Sequence, residues 1–522
     1  MLLKKRLIIL FVLSLFFVIN VNGQKSKAFP PSLPEQEGVS AAAIDSFLNA
    51  VAHSNHEFHG FVFLRHGKVI AEGWWDPYKS SLKHQLYSTS KSFTSTAVGF
   101  AVTEKLLTVN DKVISFFPNN LPDTISPYLA QLTVKDLLTM SVGQATDPTS
   151  SIPFKSGNWV KAFLALAITN KPGTKFLYNS MATYMLSAIV QKVTGQKEID
   201  YLKPRLFEPL GITGMDWEES ADGINTGGWG LRVKTEDIAK LGQLYLQKGI
   251  WKGKQILPNE WVEEATSIKI DQAPGVAQSK KDSSDWMQGY CYQFWRCRHN
   301  AYRADGAFGQ YIIVLPEQDA VIAINSETPD MQAEINLVWK YLLPAMHQEA
   351  LPLDKTAELT LQQHLEALKL NPLSNNRAES YTVPIIENQT FLLQSNDLKF
   401  RTISFKLKNN SCTVVLKKDS VSYSLNFECG KWGSGQTTMP GPGLLAKAFE
   451  DVSMLTPYKI AGSFGWLDNK TIKFKLHYIE SVHSETITCN FSGNKLTATI
   501  EYSEDFGRKK IVLNGDLVQR SP

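Results

Sequence analysis

The chain has 522 residues, 54 basic against 50 acidic side chains, and a net charge of +4. That length allows two domains, and a near-neutral balance with no long basic run past the first residues gives no support to a nucleic-acid partner. Five cysteines, at 291, 297, 412, 429 and 489, are an odd number and too few for a disulfide scaffold, and none form a Cys-x-x-Cys zinc pair.

Lys4-Lys5-Arg6, the apolar run 7–19 and Val21-Asn22-Gly23 have the order of a secretion signal cut before Gln24. Residues 1–23 are therefore expected to direct the chain to the periplasm or outside the cell. The apolar run is shorter than the roughly 18 residues a membrane span needs, and no cysteine near the cut could take a lipid. No membrane span is expected after cleavage.

Residues 24–350 alternate strand and helix patterns. Strands are expected at 61–64 and 69–71 around His66-Gly67-Lys68, and helices over 93–102, 132–138, 181–193 and 235–246. A hairpin is expected at 311–315 and 320–324, turning through Pro316-Glu317-Gln318-Asp319. Strands at both ends with helices between point to an α/β or α+β domain with one large core. Residues 351–376 read as a linking helix and linker. From 377 to 522 the texture changes to short strands, among them 412–416, 422–427, 472–476 and 496–500. A second, all-β domain of about 145 residues, a sandwich or barrel, is expected there.

Ser88-Thr89-Ser90-Lys91 opens the apolar helix at 93–102. Positions three apart share a helical face. A serine hydroxyl becomes a nucleophile when a neighbouring base takes its proton, and a lysine held neutral by burial and helix N-terminal polarity is such a base. The same spacing occurs at Ser80/Lys83 and Ser492/Lys495, without a buried helix behind it. Tyr178-Asn179-Ser180 precedes the helix at 181, where a tyrosine could relay a proton and Ser180 add a hydroxyl. Asn179 and Ser180 are equally ordinary capping residues. Ala304-Asp305-Gly306-Ala307-Phe308-Gly309-Gln310 enters the hairpin, and its glycines allow close approach to backbone. The amide of Ala307 could pair with that of Ser88 as an oxyanion hole.

In this order, Ser88-x-x-Lys91, Tyr178-x-Ser180 and the Gly306 strand resemble the serine hydrolases of the β-lactamase and penicillin-binding type. The closer likeness is to the class C branch, with its esterases, short-amide hydrolases and D-peptidases. Leu137-Leu138-Thr139-Met140-Ser141-Val142-Gly143, Pro172-Gly173-Thr174, Gly227-Gly228-Trp229-Gly230 and Asp237-Ile238-Ala239-Lys240 add to it. The likeness spans about residues 30–345 and implies an α+β fold: an antiparallel sheet flanked by helices, a helical subdomain, and Ser88 in the cleft. It implies a Ser88 acyl-enzyme, with Lys91 and Tyr178 sharing base and acid roles, no cofactor, no metal and a small ester or amide as partner.

Two departures bear on substrate. Ser180 stands where that branch usually has Asn, and Ala304-Asp305-Gly306 where it usually has Lys or His, then Thr, then Gly. An aspartate there repels a substrate carboxylate unless Arg298 or Arg303 compensates. Small esters, amides or cationic substrates are thus expected ahead of β-lactams or D-amino-acid peptide termini. A non-catalytic binding protein on the same scaffold is the reading of another class, and retention of Ser88, Lys91 and Tyr178 argues against it. His53-x-x-His56-x-x-His59 lacks an acidic fourth ligand, and Ala461-Gly462-Ser463-Phe464-Gly465 lacks the first glycine of a hydrolase elbow.

Overall fold

A computed structural model describes residues 28–152, 154, 157–375, 386–442, 457–504 and 510–518. The expected export segment and the expected domain start at 377 lie outside these. No helix among the described residues is long and apolar enough to cross a membrane.

Helix α1 (Ala41–Ala52) leads into strand β1 (Glu57–Arg65), which turns back as β2 (Lys68–Trp74). The turn places His66 and Gly67 at φ of 49° and 72°, the left-handed region that favours glycine. The chain returns to this sheet as β3 (Trp295–Arg296), β4 (Tyr302–Gly306), β5 (Gln310–Leu315) and β6 (Ala320–Glu327). The order is β2-β1-β6-β5-β4-β3, antiparallel throughout. Phe61 and Phe63 join Ile322, Ile324 and Phe47 of α1 on one face, and Val62 and Leu64 join Val321 and Ala323 on the other. Because both faces are covered, the central strands β1, β5 and β6 carry near-continuous apolar runs instead of alternating ones.

The helical part lies between β2 and β3. Helix α2 (Ser90–Thr103) is buried at every residue from Ser90 to Ala101. The segment expected to be helical at 132–138 is shorter, Val134–Leu138, because Thr133 and Asp136 form a reciprocal capping box that starts the helix later. Helices α3 (Ser180–Thr194) and α4 (Thr235–Leu246) follow. Helix α4 lies on the sheet at Gly242, where a Cβ would come within 2.6 Å of Val321 and 2.7 Å of Ile312. Helix α5 (Lys355–Glu366), capped by Asp354, forms the link.

The second domain is a closed barrel, which decides between the two expected forms. Its strands are β7 (Gln389–Leu393), β8 (Thr402–Lys408), β9 (Ser411–Lys418), β10 (Val421–Cys429), β11 (Gly433–Thr437), β12 (Tyr458–Trp466), β13 (Thr471–Tyr478), β14 (Ser484–Ser492), β15 (Lys495–Tyr502) and β16 (Ile511–Leu517). They pair in the order β10-β9-β8-β7-β16-β15-β14-β13-β12, and a parallel pairing of β10 with β12 closes the ring. β11 is a spur on β12. Phe391, Phe405, Phe427, Phe474 and Phe491 fill the interior. The barrel meets the first domain through a small apolar cluster, Tyr78 with Ala461 and Ile479, and through polar contacts, including Lys475 with Glu57 (3.5 Å), the Gln85 amide donating to the Glu480 carbonyl (3.1 Å), and the Trp432 indole donating to the Leu370 carbonyl (3.0 Å).

Candidate active site

Ser88 lies in a tight turn, Tyr87–Thr89, that runs straight into α2. Neighbouring hydroxyls fix this turn. Thr89 Oγ1 donates to the Gln310 carbonyl (2.6 Å), Ser90 Oγ to the Tyr87 carbonyl (2.7 Å) and Ser92 Oγ to the Gln293 carbonyl (2.8 Å). Thr89 and Ser90 are fully buried by these bonds, whereas Ser88 remains half-buried and is the hydroxyl of the three that a substrate can reach.

Lys91, one turn on, is 1 % exposed. Its Nζ lies 3.0 Å from Ser88 Oγ, 3.1 Å from Ser180 Oγ and 2.6 Å from the Gly228 carbonyl oxygen. Burial pushes the amine down from 10.5 to about 7, against the opposing charges of Asp147 and Asp305. A neutral amine here donates to the Gly228 carbonyl and Ser180 and offers its lone pair to the Ser88 proton. Gly228 is required by packing, since a Cβ would stand 2.7 Å from the Ser180 carbonyl oxygen. The Asn179 side chain caps α3 by accepting from the Ala182 amide (3.0 Å), which points Ser180 at the lysine. The ring of Tyr178 is centred 5.0 Å from Lys91 Nζ and stacks on Trp295 at 5.7 Å. Burial first, and Asp305 next, raise the Tyr178 hydroxyl above its ordinary value, while the Ser88 hydroxyl pulls the other way.

The end of β4 closes the site from the other side. A Cβ on Gly306 would meet the Leu86 carbonyl oxygen at 2.1 Å and the Ser88 amide nitrogen at 3.1 Å, so the strand passes directly over the Ser88 turn. Ala307 follows, half-buried. Asp305 does not stand alone: the fully buried Arg303 holds it through Nε (2.9 Å) and Nη2 (2.7 Å), with its guanidinium 4.2 Å from the Trp286 ring centre. Burial still raises the Asp305 carboxyl. Arg298 turns away to Asp285 at 2.8 Å.

The structure thus brings Ser88, Lys91, Tyr178, Ser180, Asp305, Gly306 and Ala307 together around the Ser88 turn. Sequence reasoning did not find the Gly228 carbonyl, although the double glycine at 227–228 was a visible signal. It also missed Asp147, an exposed residue with no motif around it whose charge reaches Lys91 and Tyr178. The other two serine–lysine spacings have different surroundings. Lys83 pairs with Asp216, and Ser492 faces Lys495 across a barrel hairpin. The three histidines diverge: His53 bonds the Asn49 carbonyl, His56 bonds Thr328, and His59 lies 2.9 Å from His84. Ser463 is buried and accepts from the Leu373 amide. Cys291 and Cys297 are separate thiols, the first against the Thr266 carbonyl and the second against Arg303.

A family model described as Beta-lactamase matches residues 52–342. The 6-aminohexanoate-dimer hydrolase of Paenarthrobacter ureafaciens is 25 % identical over 292 residues, which is 52 % of this chain and 72 % of that protein. A solved structure from Bacillus anthracis, provisionally named a 6-aminohexanoate-dimer hydrolase, superposes with a TM-score of 0.51 at 21 % identity. It covers 62 % of this chain and 89 % of its own, a likeness of fold. The octameric penicillin-binding protein homologue from Pyrococcus abyssi gives a TM-score of 0.47 at 16 % identity, covering 90 % of this chain and 99 % of its own. With over half of its length matched by the family model, this chain belongs to the Beta-lactamase family.

Proposed function

We propose that the protein is an exported serine hydrolase that opens small esters or short linear amides through an acyl-enzyme on Ser88. The observation that carries this reading is the buried Lys91 amine, brought to about 7 and held 3.0 Å from Ser88 Oγ. Neutral Lys91 takes the Ser88 proton as Oγ attacks the substrate carbonyl carbon. The oxygen that gains charge faces the amides of Ser88 and Ala307, donors worth about 100- to 1,000-fold each in rate. Tyr178, which burial keeps protonated, donates to the departing alcohol or amine as the tetrahedral intermediate collapses, and recovers a proton from Lys91. Water then hydrolyses the Ser88 ester by the same groups in reverse. Ser180 and the Gly228 carbonyl hold the lysine through both halves.

The charge pattern supports substrates without a carboxylate beside the scissile bond. The one arginine at the strand edge is engaged by Asp305, so a β-lactam or peptide terminus would meet a neutralised pair in place of a free cation. Tyr178 and Trp295 offer an aromatic wall to an acyl chain, and exposed Asp147 suits a neutral or cationic far end. The name of the Paenarthrobacter relative describes a short linear amide, consistent with that shape.

Rapid mixing of the mature protein with p-nitrophenyl acetate, with Ser88→Ala in parallel, tests the reading. A stoichiometric nitrophenol burst confined to the wild type is the expected result. A burst that persists in Ser88→Ala, or no burst in either protein, overturns it.

A further inference from the structure

Tyr87 and Phe308 flank the two amides expected to hold the oxyanion: Tyr87 precedes Ser88, and Phe308 follows Ala307. Both are bulky residues with left-handed backbone, at φ of 45° and 65°, a conformation that persists only where the surroundings enforce it. The same side chain rests on both, and it comes from the barrel. His483, in the turn between β13 and β14, is fully buried. Its Nε2 lies 2.7 Å from Tyr87 Oη, and the Phe308 ring meets it edge-on at 4.7 Å. Tyr87 and Phe308 also touch, at 5.8 Å between ring centres. The other ring nitrogen, Nδ1, lies 2.6 Å from Glu327 Oε1 at the end of β6, and that oxygen also accepts from Ser503 Oγ at 2.7 Å. With its proton on Nδ1, His483 donates to Glu327 and accepts the Tyr87 hydroxyl, a tautomer assigned from this network.

We propose that His483, anchored by Glu327, is a positioning residue for acyl transfer. It fixes the Ser88 turn through Tyr87 and the Ala307 hairpin through Phe308, so that the barrel completes the catalytic geometry of the first domain. The proposal rests on the acyl-enzyme reading above. It assigns a role to the second domain that does not require the domain to touch substrate.

The test measures the rate at which a fluorophosphonate labels Ser88, followed by intact mass, over a range of probe concentrations. The variants are His483→Ala, His483→Gln, Tyr87→Phe and Lys475→Ala, the last removing an ion pair of the same domain interface away from the turn. His483→Ala and Tyr87→Phe are expected to lower the limiting labelling rate about 10- to 100-fold, with little change in the half-saturating concentration. The double variant Tyr87→Phe/His483→Ala should be no slower than His483→Ala. His483→Gln, which keeps a polar atom near Tyr87, should recover part of the loss, and Lys475→Ala should label at the wild-type rate. A folded His483→Ala that labels like the wild type overturns the proposal alone. Should that variant fail to fold, a wild-type limiting rate in Tyr87→Phe overturns it. If the wild type is not labelled at Ser88, the acyl-enzyme reading fails and this proposal falls with it.

Discussion

Lys91→Met separates what the lysine costs the fold from what it gives the chemistry. In the unfolded chain the amine titrates near 10.5, and in the site near 7. The folded value is the lower one, so between those two pH values the unfolded chain holds more protons, and stability rises with pH across that window. Below pH 7 the full penalty applies, about 5 kcal/mol. Methionine fills a similar volume and has no charge to desolvate. Its own cost is pH-independent: a buried Gly228 carbonyl loses its donor, worth about 1–3 kcal/mol. The variant should therefore be more stable than the wild type by about 2–4 kcal/mol at pH 6, and this advantage should shrink by about 2–3 kcal/mol by pH 9. Denaturant titrations of both proteins at pH 6, 7.5 and 9, followed by tryptophan fluorescence, measure the gap. The nitrophenol burst should vanish in the variant at every pH. A stability gap that stays constant from pH 6 to 9 refutes the shifted lysine, and with it the argument for Lys91 as base.

Gly306→Ala should abolish the burst while the protein still folds, because a Cβ at 2.1 Å from the Leu86 carbonyl oxygen must lever β4 off the Ser88 turn; a wild-type burst in that variant contradicts the placement. Asp305→Asn leaves the buried Arg303 guanidinium without its carboxylate and should cost about 3–5 kcal/mol in denaturation. In the folded fraction the pH midpoint of acylation should fall below about 7, since Asp305 helps hold the proton on Lys91; an unchanged or higher midpoint argues against that coupling. Alkylation of the denatured, unreduced protein should add five adducts by mass, one per cysteine. Two fewer would reveal a disulfide.

Much of this was legible in the chain because local signals and tertiary demands agree. The run from Phe93 to Val102 carries no charge and suits a helix buried on most sides, and α2 is buried from Ser90 to Ala101. Strong periodicity likewise marked α3, α4 and the β5–β6 hairpin. The seven expected site residues meet in space because each sits at an element's start or end, where turn chemistry is visible in sequence. The barrel's closure was not legible: β10 and β12 pair in parallel over two residues, and no local pattern encodes a long-range register. The Arg303–Asp305 pair was open in the sequence because two arginines were near enough in number, and only the strand geometry, with residues two apart on one face of β4, selects Arg303 over Arg298. His483 was beyond reach altogether, since a lone histidine in a barrel turn carries no sign of the distant turn it touches.

The site concentrates features that ordinary packing avoids. Tyr87 and Phe308 hold left-handed backbone, at roughly 1–3 kcal/mol each, Lys91 is buried, and Asp305 is 7 % exposed. The apolar layers on both faces of the six-stranded sheet and around α2 offset these costs. The barrel contributes differently. Its interface sets Tyr78 and Tyr87 against His477 and His483, beside the apolar contact of Tyr78 with Ala461 and Ile479, and a hydrogen bond such as that of Tyr87 fixes an angle that apolar contact leaves free. A domain held by orientation-specific contacts is suited to setting the angle of a strained turn. The Tyr87–His483 hydrogen bond and the left-handed residue before Ser88 are thus two sides of one arrangement.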